Sequence, residues 1–98
     1  MNILTIGGSD PSSGAGIQSD IKATQTLGAN CFSVITAITA QNSKNFSYAE
    51  SVSTRSVGAQ LDSIFADFDI DVIVIGMVYY KAIIKKRSEE HTSELQSH

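Results

Sequence analysis

Cysteine is nearly absent from this 98-residue chain. Cys31 stands alone, so no intrachain disulfide and no cysteine-based zinc site can form, and the residue reads as a small apolar side chain entering a buried strand. Positive charge is also scarce. Seven Lys and Arg against ten Asp and Glu give a net charge of -3, and the basic residues are mostly scattered. With no basic face to displace counterions from a phosphate backbone, nucleic acid is not an expected partner. No apolar run approaches the ~18 residues that span a bilayer. Ile3-Leu4-Thr5-Ile6 also follows Met1 too closely to leave room for the charged and apolar regions of a secretory signal. These absences predict a cytoplasmic chain with no membrane partner.

What is present divides unevenly. With 42% hydrophobic and 17% charged residues, the composition is that of one small globular domain. The stretch from Arg87 to His98, however, has Leu95 as its one large apolar residue and cannot join a core. It resembles the conceptual translation of a sequencing-library adapter. Residues 87–98 are therefore expected to be a non-native tail, with the native protein continuing beyond Lys86. His91 and His98, the two histidines, then leave any catalytic argument.

The continuous apolar run Asn2 to Gly7 predicts a strand buried on both faces, as in a parallel sheet. A helix is predicted from about Gly14 to Leu27, with Ile17, Ile21, Thr24 and Leu27 as its apolar stripe, Gln18, Ser19, Lys22 and Gln25 facing away, and Gly28 as its stop. Cys31 to Thr39 reads as a second strand, which makes a right-handed parallel crossover. Residues 43–53 are polar around Phe46 and Tyr48 and suit either a loop or a short exposed strand. From Thr54 to Phe68, Val57, Leu61, Ile64, Phe65 and Phe68 fall on one helical face. Val72 to Gly76 reads as a third buried strand, and Lys81 to Lys86 as the start of another helix. The expectation is an α/β fold begun but not finished: three parallel strands whose faces are only partly covered.

Between the first strand and helix lies Gly7-Gly8-Ser9-Asp10-Pro11-Ser12-Ser13-Gly14-Ala15-Gly16. Gly and Ser leave backbone N–H groups open to a ligand, and the helix that follows aims its positive dipole end there. A Walker loop is absent, because Gly14 is followed by Ala15 and no Lys occurs before Lys22. A dinucleotide fingerprint fails as well, with Ser19 in its third glycine position. A glycine-rich turn can be mere connection. This one is long for its kind, and long loops at the carboxyl ends of parallel strands are where ligands bind.

Four blocks then occur in a telling order: Gly8-Ser9-Asp10-Pro11-Ser12-Ser13-Gly14-Ala15-Gly16-Ile17-Gln18-Ser19-Asp20-Ile21-Lys22; Val34-Ile35-Thr36-Ala37 with Thr39-Ala40-Gln41-Asn42; Ala59-Gln60-Leu61-Asp62; and Ile75-Gly76-Met77. Their sequence and spacing resemble the hydroxymethylpyrimidine and phosphomethylpyrimidine kinases of thiamin biosynthesis, members of the ribokinase-like superfamily. The resemblance covers residues 2–86. Ser13 stands where that family usually has Gly, and Val74 replaces a Lys common there.

The resemblance implies that residues 1–86 are the substrate side of a ribokinase-like three-layer domain with a mainly parallel sheet. It implies phosphorylation of 4-amino-5-hydroxymethyl-2-methylpyrimidine, and then of its monophosphate, with ATP and Mg2+ in the full-length family. Gln41 would read the aminopyrimidine edge, since a carboxamide offers both a donor and an acceptor. Gly8, Ala15 and Gly16 would form the close wall, and Met77 would pack on the ring. Asp10 would shape the loop and belong to the substrate site, while Asp20 would favour the helix dipole. The base and the nucleotide site would lie in a C-terminal half, so this chain alone is expected to be inactive, and a homodimer stays open for the full-length form. Two rivals remain: a pyridoxal kinase of the same superfamily, and a non-catalytic small-ligand-binding module.

Overall fold

The computed structural model describes residues 1–76, so the reading of residues 77–98, Met77, the helix from Lys81 and the tail included, lies outside the described residues. Six elements follow one another: β1 (Asn2–Ser9), α1 (Gly16–Thr26), β2 (Asn30–Gln41), β3 (Phe46–Ser51), α2 (Thr54–Asp67) and β4 (Val72–Ile75). They form one four-stranded sheet in the order β3-β2-β1-β4. β1 is central and pairs in parallel with both β2 and β4, as the apolar runs predict. β3 is the addition: it runs antiparallel to β2 at the edge and is exposed along its whole length.

Side chains alternate across a strand, and β1 uses both faces. Leu4 and Ile6 join Val34, Val57, Leu61 and Ile73 in a core that α2 closes. Thr5 and Gly7 face the other way, where Thr5 bonds Asp20 of α1 and Gly7 lies beside Ile17. Each sheet face therefore carries one helix, giving three layers. Within α2, Ser53 caps the N-terminus by accepting from the Ser56 N–H, and Gln60 performs a further task. Its carboxamide accepts from Ile35 N at 2.9 Å and donates to Ile35 O at 2.9 Å, taking the place of a neighbouring strand along β2 before β3 begins.

α1 departs from its predicted stripe at its C-terminal end. Ile17 and Thr24 are buried, but Leu27 is 81% exposed, because the helix has already ended. Gly28, at φ 78°, closes that end: the N–H groups of Leu27 and Ala29 both reach Thr24 O, and Gly28 N reaches Gln25 O. Gln18 does not face away. Its carboxamide turns back to β1 and the loop, as described below.

The β1–β2 pairing slips between Gly7 and Gly8, where Gly7 opposes Ile35 but Gly8 opposes Ala37. Thr36 is the extra residue, an uncommon bulge in a parallel pair. Its carbonyl accepts from Val52 N at 2.9 Å, while its buried Oγ1 has no partner among the described residues. No helix among the described residues is long and apolar enough to cross a membrane.

Candidate functional site

At the carboxyl ends of β1 and β2, a cavity of about 340 Å³ opens where the loop from Asp10 to Ala15 leads into α1. Gly7, Gly8 and Ser9 of β1 form its floor, with Gly76 beyond β4. Asp10, Gly16 and Asp20 stand on one side, and Thr39 and Gln41 of β2 on another. Its volume is in the range of small-molecule pockets. Among the described residues, two carboxylates and no cationic side chain line it.

Asp10 organises the loop. The residue is 2% exposed; Oδ1 accepts from Ser12 N and Ser12 Oγ, and Oδ2 accepts from Ala15 N at 2.8 Å. Gln18 completes the arrangement, accepting from Asp10 N at 2.8 Å and donating to Ser9 Oγ at 2.7 Å. α1 thus starts without a side-chain cap on Ala15, and Asp10 supplies the negative charge at its first turn. The Ser12 hydroxyl holds the Asp10 carboxyl below its ordinary value of 3.8, and the N–H groups of Ser12, Ala15 and Gly14 add to that against the opposing push of burial.

A lowered folded pKa fixes the sign of a pH effect. The ionised carboxylate stabilises the fold at every pH above the unfolded value, and this contribution fades as pH falls through the folded one. Urea midpoints should therefore drop on acidification below about pH 4, and more steeply for the unsubstituted chain than for Asp10→Asn. Parallel curves for the two would show that Asp10 is not so tuned.

Two residues of this segment hold left-handed backbone. Gly16, at φ 63°, sits so close to β1 that a Cβ would collide with Gly8 O and lie 3.2 Å from Asp10 N. Ser13, at φ 66°, is the one non-glycine with positive φ among the described residues. The serine therefore keeps the conformation that glycine adopts freely, and carries the strain of doing so. Ser13→Gly is expected to raise stability by about 1 kcal/mol in thermal unfolding, and a loss of stability would contradict this account.

On the other side, Thr39 Oγ1 donates to Ser9 O at 2.7 Å and accepts from Gln41 Nε2 at 2.8 Å. Opposite, Thr5 Oγ1 donates to Asp20 Oδ2 at 2.6 Å, a buried hydroxyl fixing a carboxylate at the cavity wall.

The whole-chain comparison agrees with these local features. The family model described as Phosphomethylpyrimidine kinase matches residues 10–97. This chain belongs to the phosphomethylpyrimidine kinase family. A hydroxymethylpyrimidine/phosphomethylpyrimidine kinase of Rhizobium meliloti is 51% identical over 75 residues, covering 76% of this chain and 28% of that protein. The crystal structure of phosphomethylpyrimidine kinase from Clostridium difficile superposes with a TM-score of 0.86 at 37% identity, over 97% of this chain and 43% of that one. An ADP complex of Bacillus subtilis pyridoxal kinase gives 0.80 at 31%, over 96% and 39%. The chain thus spans less than half the length of each of these relatives, and its α/β architecture is ribokinase-like.

Of the positions singled out by resemblance to this kinase family, Gly8, Asp10, Gly16 and Gln41 line one cavity. Ala15 does not line it: it is exposed, and its N–H belongs to Asp10. Gly16, besides lining the cavity, closes α1 onto β1, where a Cβ would meet Gly8 O and Asp10 N. Met77 lies outside the described residues, although Gly76 before it borders the cavity. Asp20 does more than favour a dipole, since Thr5 turns it to the cavity. Thr39 and Gln18 are additions. Their hydrogen bonds to Ser9, residues away in sequence, left no local pattern to find them by.

Proposed function

We propose that this chain is the acceptor-substrate side of a kinase that phosphorylates 4-amino-5-hydroxymethyl-2-methylpyrimidine and its monophosphate in the cytoplasm. The observation that carries the reading is the Gln41 carboxamide at a cavity floored by glycine backbone. A flat ring fits against surfaces without Cβ atoms, and a carboxamide matches an aminopyrimidine edge with one donor and one acceptor. The higher identity to the pyrimidine kinase than to the pyridoxal kinase favours the pyrimidine over pyridoxal. Membership of a kinase family favours an enzyme over a non-catalytic binding module.

ATP and Mg2+ are the phosphoryl donor and metal this reading calls for, and the described residues do not fit them. Triphosphate needs cations and backbone donors, and among the described residues the cavity lining has carboxylates and no Lys or Arg. Among the described residues no group of three or more His, Cys, Asp or Glu is placed to hold a metal ion. In this proposal residues 1–86 supply substrate binding, residues 87–98 are a non-native tail, and the base and nucleotide site belong elsewhere in the enzyme.

Calorimetric titration of the 98-residue chain with the aminopyrimidine tests the reading. Gln41→Ala is expected to weaken binding by about 10- to 100-fold, the cost of leaving one or two buried polar groups unpaired. Equal affinities for the two proteins would remove Gln41 from the site.

A further inference from the structure

We propose that Thr39 is a positioning residue that locks the Gln41 carboxamide in one of its two flips and so sets which ring edge the cavity accepts. The inference rests on the pyrimidine reading of this site and extends it to a residue that does not itself need to touch the ligand.

A hydroxyl has one proton to give, and a carbonyl oxygen has none. Thr39 Oγ1 lies 2.7 Å from Ser9 O, so its proton is committed to that carbonyl. What remains on Oγ1 toward Gln41 is a lone pair, which can face only a donor. The 2.8 Å contact therefore has to be Nε2 donating, and the opposite flip would set Oε1 against the Thr39 lone pair. Among the described residues the carboxamide makes no other hydrogen bond. Oε1 and the second Nε2 proton are left in a fixed order for a ligand. Ser9 O, at the end of β1, is in effect what orients Gln41 on β2, with Thr39 as the relay.

This order distinguishes two ring edges of nearly the same shape. A 4-aminopyrimidine presents an amino donor beside a ring-nitrogen acceptor, which matches Oε1 and the spare N–H. A 4-oxopyrimidine presents an acceptor beside an N–H donor, the reverse. With the flip locked, the second ligand places like against like. With the flip free, the carboxamide turns over and accepts either.

The test compares the unsubstituted chain, Thr39→Val and Thr39→Ser. Valine keeps the shape of threonine and deletes the relay; serine keeps the hydroxyl. In ligand-free protein, NMR of the Gln41 side-chain amide should show one proton shifted and protected from exchange, unchanged in Thr39→Ser and lost in Thr39→Val. In titrations, the unsubstituted chain should prefer the 4-amino over the 4-oxo form of the hydroxymethylpyrimidine by at least about tenfold, and Thr39→Val should lose most of that ratio while Thr39→Ser keeps it. A merely structural role for Thr39 would weaken both ligands alike and leave the ratio intact. Unaltered Gln41 amide resonances in Thr39→Val, or an unaltered ratio, would overturn the proposal. Should neither pyrimidine bind the unsubstituted chain, the reading of the site fails, and the amide resonances still decide whether Thr39 holds the flip.

Discussion

Gly16→Ala is expected to destabilise the fold by about 2–4 kcal/mol and to abolish ligand binding with it. Two costs combine. A left-handed φ of 63° is unfavourable for any residue with a Cβ. The new methyl would also meet Gly8 O and Asp10 N, which are backbone atoms and cannot swing aside as a long side chain would. Gly8 is tied into the β1–β2 ladder, and the Asp10 amide donates to Gln18, so relief would require breaking one of them. Gly28 provides the control, since its φ of 78° is equally left-handed but a Cβ there meets nothing within 4 Å. Urea unfolding should place Gly28→Ala at about 1 kcal/mol, the conformational cost alone. If Gly16→Ala costs no more than Gly28→Ala, the close approach of α1 to β1 does not exist.

Leu61→Ala, at a distance from the site, should cost about 2–5 kcal/mol. Leu61 is fully buried on the inner face of α2, in the cluster with Leu4, Ile6 and Val34. Removing its branched end forfeits both transfer from water and packing, and its neighbours are strand residues held in register by the sheet. Small single domains have about 5–15 kcal/mol in all, so this loss is a large share. Leu27→Ala, at a residue 81% exposed, should stay within about 0.5 kcal/mol. Chemical denaturation of the pair separates them, and a Leu61→Ala protein as stable as Leu27→Ala would place α2 off the sheet.

Those two leucines also mark how far the sequence could be read. α2 was legible because Val57 and Leu61 recur with a helical period and the core accepts every one of their turns. β1 was legible because a central parallel strand must be apolar on both sides, whereas β4, read as a buried strand from its apolar run, lies at the sheet edge with Val72 and Val74 exposed. β3 has no buried face, so nothing in its sequence had to alternate with a core, and only its antiparallel pairing with β2 defines it. Leu27 was misassigned because periodicity does not register where a helix stops, and the backbone bonds around Gly28 end it at Thr26, one residue earlier. In the site, Gly8, Asp10 and Gln41 stood out through motif and resemblance. Asp20 and Thr39 owe their positions to hydroxyl bonds across elements, Thr5 to Asp20 and Thr39 to Ser9, which no local spacing encodes.

The unmatched Thr36 has a consequence for what mutation can do here. One residue more or fewer in a strand turns every later side chain to the other side of the sheet. Thr39 and Gln41 come after the slip, so their approach to Ser9 depends on the number of residues preceding them as much as on their identity. Between Val34 and Gln41, insertions and deletions are shut out even at positions where a substitution is tolerated.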